Sequence, residues 1–85
     1  IRDSRYVIST NHGLHAANAM SLSRAASDYQ CKITLESAKG VADCKNVLSL
    51  MSLGAKQGES LILTADGPDE KLAMGYLSGI LRTIL

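Results

Sequence analysis

The sequence has no tryptophan, no phenylalanine and only three tyrosines, so aliphatic side chains and alanine must fill whatever core it builds. A single proline, Pro68, and no low-complexity tract or repeat leave no sign of a linker. Two cysteines, Cys31 and Cys44, are too few to staple a small secreted scaffold and do not form a CxxC pair. Taken with His12 and His15 they show no clustered ligand spacing, so two reduced thiols and no metal are expected. A net charge of +1 lacks the basic excess of a nucleic-acid binder. No apolar run approaches the roughly 18 to 20 residues of a membrane span, so no membrane insertion is expected. Behind Ile1-Arg2-Asp3-Ser4-Arg5 there is no apolar stretch of secretory type, which points to a cytoplasmic protein.

What is present is an ordinary globular composition, 46% hydrophobic and 20% charged, in a chain of 85 residues. That length allows one domain, residues 1–85, burying only about 60 to 65% of its unfolded surface. Arg5-Tyr6-Val7-Ile8-Ser9 reads as a strand, with Tyr6 and Ile8 on one side. Residues 10–14 read as a loop. A helix from about residue 16 to Ser27 follows, with Ala19, Leu22 and Ala26 on its buried face. Lys32-Ile33-Thr34-Leu35-Glu36 alternates as a second strand with Ile33 and Leu35 inward, and Ser37-Ala38-Lys39-Gly40 turns the chain into a strand at Val41-Ala42.

Asn46 is a good N-cap for a short helix that Gly54 closes. Leu50 and Leu53 share one face of it, while Val47, Leu48 and Met51 fall largely on another. Periodicity alone leaves two readings open, an exposed docking cluster or a helix apolar all round because it is buried. Glu59 to Ala65 is the next strand, with Leu61, Leu63 and Ala65 facing one way. Asp66-Gly67-Pro68-Asp69-Glu70 makes a turn and a helix start, its acidic residues favouring the helix dipole. Ala73, Leu77, Ile80 and Ile84 mark the expected buried face of the last helix. The order strand, helix, strand, strand, helix, strand, helix is that of an α+β layer, a mostly antiparallel sheet covered on one face.

Chemistry concentrates in Asn11-His12-Gly13-Leu14-His15-Ala16-Ala17-Asn18-Ala19. His15 falls at or near the N-cap of the first helix, where unpaired backbone N–H groups and a partial positive charge gather. A phosphoryl group on His15 would sit where the donors of Ala16 and Ala17 point. The same field disfavours the imidazolium, and a neutral imidazole can attack phosphorus. Gly13 lets the loop turn and a partner approach. The plainer reading is that His15 merely caps the helix.

Gly13-Leu14-His15-Ala16, with Lys45, Met51-Ser52-Leu53-Gly54, Gly58 and Asp66-Gly67-Pro68-Asp69-Glu70, resembles the histidine-containing phosphocarrier protein (HPr) family over essentially the whole chain. The resemblance implies an open-faced β-sandwich (βαββαβα), a four-stranded antiparallel sheet with three helices on one face. It implies a monomeric cytoplasmic carrier without cofactor, not an independent enzyme, in the bacterial phosphoenolpyruvate-dependent sugar phosphotransferase system. His15 would take a phosphoryl group on Nδ1 from enzyme I and pass it to a IIA component of a sugar permease. Val47, Leu48 and Met51 would dock these partners, with a transcriptional regulator as a further one, and Leu50 and Leu53 would be core.

Three departures stand out. Ala17 and Asn18 replace the arginine and proline that follow in the family's signature, and alanine supplies neither charge nor side-chain donor. Asn46 stands where many Gram-positive members carry a regulatory serine. His12 stands where a small polar residue is usual, and either lends a second imidazole or is a solvated loop residue. The alternative function is a non-transferring regulatory paralogue, a protein-binding module.

Overall fold

The computed structural model describes all 85 residues. Four strands, β1 (Arg2–Val7), β2 (Lys32–Ser37), β3 (Gly40–Asp43) and β4 (Ser60–Asp66), alternate with three helices, α1 (Ala16–Ala26), α2 (Val47–Ser52) and α3 (Glu70–Ile84). The strands form one antiparallel sheet in the order β1-β4-β2-β3. This is the expected α+β open-faced sandwich.

Alternation along the strands decides which face is covered. Ile33 and Leu35 of β2 lie opposite Ala65 and Leu63 of β4, and all four are fully buried. Lys32 and Glu36, which alternate with them, are exposed, so the other face meets water. The β2–β3 hairpin turns where the Ser37-Ala38-Lys39-Gly40 pattern places it, with Ser37 paired to Gly40. Ala19, Leu22 and Ala26 of α1 reach the same core as the strands.

Three expectations shift. β1 starts at Arg2 and stops at Val7, its six residues pairing with Ala65 to Ser60 of β4. Ile8 is therefore buried outside the strand, and the N–H groups of Ser9 and Thr10 both donate to the Leu85 carbonyl, at 2.7 and 2.9 Å. That junction ties Leu85, the residue after α3, to the chain after β1. The buried row of α3 is Ala73, Leu77 and Leu81, continued by Leu85, while Ile80 and Ile84 are only partly buried. Finally, Asp69 is the N-cap of α3 by position but makes no side-chain cap bond. Its carboxylate accepts instead from the N–H groups of Gln30 and Cys31, at 2.8 and 2.9 Å, and ties the α1–β2 loop to the start of α3.

Burial also acts on the thiols. It raises that of Cys31 and pushes that of Cys44 up to about 12, so both are poor thiolates.

Candidate functional site: a histidine at the start of a helix

His15 is exposed, and its extended backbone (φ −129°, ψ −178°) makes it the N-cap of α1. The Ala17 N–H donates to His15 Nδ1 at 3.2 Å. Nδ1 thus carries a lone pair aimed at the helix start, and the neutral ring holds its proton on Nε2. The Ala16 N–H belongs to the same first turn, which has no intrahelical acceptors. No acidic side chain stands in that turn to oppose an incoming anion.

Asn18 holds this arrangement. Its Oδ1 accepts from the His15 N–H at 2.8 Å, and its Nδ2 donates to the Gly13 carbonyl at 2.8 Å. By the first bond Asn18, the third residue of α1, supplies the side-chain half of a capping box with His15. The second clamps the loop before the histidine. In the sequence Asn18 stands out only as a departure; an amide three residues after a polar cap is the signal that could have found it.

Gly13 fixes the loop from below. Its φ is +63°, and a Cβ there would stand 2.4 Å from the Ala55 carbonyl oxygen. That oxygen accepts from the Leu14 N–H at 2.9 Å, so the loop can lie against residues 54–58 only with glycine at 13. His12 is exposed, and its ring meets that of His15 edge to face, with centroids 6.0 Å apart and planes at 87°. Among the residues singled out for chemistry, His12, His15, Ala16 and Ala17 therefore share one surface.

On α2, the Asn46 Oδ1 accepts from the Ser49 N–H at 3.1 Å, as an N-cap should. Leu50 and Leu53 are buried, whereas Leu48 is 78% and Met51 41% exposed. Val47 departs from the expected outer cluster, being half-buried against the core. Sequence reasoning missed Met20, which is exposed on α1, the helix packed against α2. Lys45 donates to the Tyr29 carbonyl at 2.6 Å and so braces the α1–β2 loop. The largest concavity, a 740 Å³ groove between α1 and α3, includes no residue of the 11–18 segment.

The phosphorylation-site model of the PTS HPr component matches residues 3–83. The phosphocarrier protein HPr of Mycoplasma pneumoniae is 32% identical over 71 residues, covering 82% of this chain and 81% of that protein. The HPr of Haemophilus influenzae is 31% identical over 77 residues and covers 91% of each. Among solved structures, HPr-C-His from Thermoanaerobacter tengcongensis superposes with a TM-score of 0.90 at 29% identity, covering 98% of this chain and 93% of that one. The histidine-containing phosphocarrier protein of a Mycoplasma shares the fold, with a TM-score of 0.93 at 24% identity over 96% and 93% of the two chains. The seven-element sandwich is thus that of a known group of proteins, and the chain belongs to the HPr phosphocarrier family.

Proposed function

We propose that the chain carries phosphoryl groups in the phosphoenolpyruvate-dependent sugar phosphotransferase system, between enzyme I and a IIA component, with His15 as the only phosphorylated residue. The observation that carries the reading is the exposed His15 Nδ1, held by the Ala17 N–H at the start of α1. A module that only binds partners needs no nucleophile poised in this way.

In the proposed step the lone pair of Nδ1 attacks phosphorus as the bond from phosphorus to the donor's leaving atom breaks. That atom keeps the bonding pair, and the proton of His15 stays on Nε2. Once the N–P bond forms, Nδ1 no longer accepts from Ala17. The Ala16 and Ala17 N–H groups are then free to donate to phosphoryl oxygens, at the end of the helix that favours an anion. Passing the group on reverses these changes, so the chain acts as a carrier rather than an independent enzyme and needs no cofactor. Leu48 and Met51, with the rim of Val47, form the docking surface on α2. In this reading the carrier is a cytoplasmic monomer, and the accepting His15 and its N–H donors all belong to one chain.

Incubation with enzyme I and phosphoenolpyruvate, followed by mass spectrometry, tests the reading. The expected product carries one acid-labile phosphoryl group, absent in His15→Ala. A phosphate that survives that substitution or is stable in acid places the site elsewhere. An unlabelled wild-type chain would instead leave the binding-module function standing.

A further inference from the structure

A phosphoryl group brings about two negative charges at neutral pH, whereas a helix N-terminus offers roughly half a positive charge. The first turn of α1, Ala16-Ala17-Asn18, contributes no charged side chain. Charge must therefore come from outside the helix, and two loops lie at or next to the segment that leads into His15. One carries His12, whose ring edge meets the His15 ring with centroids 6.0 Å apart. The other is the 54–58 segment beneath Gly13. The place where a Gly13 Cβ would stand is only 3.0 Å from the Lys56 Cα, so Lys56 is rooted beside the residue that separates His12 from Leu14.

This root is held firmly. The Ala55 carbonyl accepts from the Leu14 N–H at 2.9 Å, and the Lys56 carbonyl from the Glu59 N–H at 3.0 Å. Gln57 Nε2 donates to the Ser9 carbonyl at 3.1 Å, and the Gly58 N–H to the Ile8 carbonyl at 2.9 Å. The Lys56 ammonium, by contrast, is exposed and uncommitted. Lys39 bonds the Gly54 carbonyl and pairs with Glu59, and Lys45 bonds the Tyr29 carbonyl, but Lys56 forms neither an ion pair nor a side-chain hydrogen bond. A cation rooted in a hydrogen-bonded loop beside Gly13, with no carboxylate of its own, is free to meet a ligand.

We infer that Lys56 supplies the positive charge that stabilises a phosphoryl group on His15, and that His12 donates an N–H to the same oxygens. This rests on the carrier reading above. Lysine acts here as a point charge on a flexible stem, and His12 has an N–H to give in either protonation state.

Phosphoramidate, a small phosphoryl donor that needs no docking surface, serves as the probe, with phosphohistidine followed by ³¹P NMR. In that reaction Nδ1 forms the N–P bond as the donor's P–N bond breaks and ammonia leaves. Lys56→Ala is expected to slow labelling about tenfold, as loss of one charge-assisted contact implies, and Lys56→Arg to keep it. His12→Ala should slow it a few-fold. Ala17→Arg, which places a guanidinium on the helix, should restore the rate of Lys56→Ala. A Lys56→Ala rate within about twofold of the parent overturns the charge assignment, and an unchanged His12→Ala rate removes the histidine from it. A parent chain labelled neither by phosphoramidate nor by enzyme I overturns the carrier reading itself, so the two failures are distinguishable.

Discussion

At the scale of single residues, the site depends on two positions that never touch the phosphoryl group in the proposed step. Gly13→Ala demands a left-handed φ of a residue with a Cβ, 2.4 Å from the Ala55 oxygen. The backbone conformation alone costs about 1–3 kcal/mol, and relieving the overlap must also loosen the Leu14–Ala55 bond. We expect a lower unfolding midpoint and slower labelling of His15, measured on the same preparation. Asn18 separates support from charge. Asn18→Ala leaves the Gly13 carbonyl and the His15 N–H without their partner, at a cost of about 1–3 kcal/mol. Asn18→Asp still accepts from the His15 N–H, but it cannot donate to Gly13 and sets a carboxylate beside the anion site. Its labelling should therefore fall further than its stability loss explains. Equal labelling rates for the two variants would remove the electrostatic part of this account. His15 itself was legible in the sequence as a helix cap beside a glycine. Lys56 was not, because its relevance lies in a contact across more than forty residues that no local pattern encodes.

At the scale of elements, α2 is the informative case. Its six residues are apolar on both sides, and periodicity could not say whether the outer side was covered. The structure divides them. Leu50 is fully buried, so Leu50→Ala should destabilise the fold by about 2–5 kcal/mol in denaturant unfolding. Leu48 is largely exposed, so Leu48→Ala should change stability by less than about 0.5 kcal/mol. It should weaken transfer from enzyme I yet leave phosphoramidate labelling intact, and slower phosphoramidate labelling would show that the helix does more than dock. Asn46 caps this helix and has no hydroxyl to phosphorylate, so an ATP-dependent serine kinase of the Gram-positive type should label Asn46→Ser and not the parent chain. A phosphate mapped to Ser49 or Ser52 of the parent would contradict this. In α3 the buried row was ambiguous for a similar reason. Ile80 and Leu81, and Ile84 and Leu85, are adjacent apolar pairs, and periodicity does not choose between them, whereas packing puts Leu81 and Leu85 in the core.

At the scale of the whole molecule, all seven elements were legible, most from an apolar period, β3 from the turn before it and α2 from its caps, but the strand order β1-β4-β2-β3 was not. Periodicity names a buried face without naming the neighbour. One long-range tie also governs how the molecule meets acid. The Asp69 carboxyl is held below the usual aspartate value by the Gln30 N–H and then by the Cys31 thiol and N–H. Gly67 permits this closure, since a Cβ there would lie 2.6 Å from the Cys31 Cα. A carboxylate depressed by folding stabilises the native state fully above its unfolded value, 3.8, and loses that contribution as pH falls through the lower folded value. An amide in place of this carboxylate would keep an acceptor but could not titrate. We therefore expect Asp69→Asn to be less stable than the parent near neutrality and the gap to narrow in acid, read as denaturation midpoints from about pH 6 to about pH 3. A gap that stays constant over that range would mean that Asp69 does not act through its charge. The comparison bears on the site as well. Acid is the treatment that distinguishes a phosphohistidine from a phosphoserine, and it also weakens the fold. Asp69→Asn, with less stability to lose on acidification, should release its phosphoryl group at the parent's rate if the lability belongs to His15, and at a different rate if acid unfolding releases it.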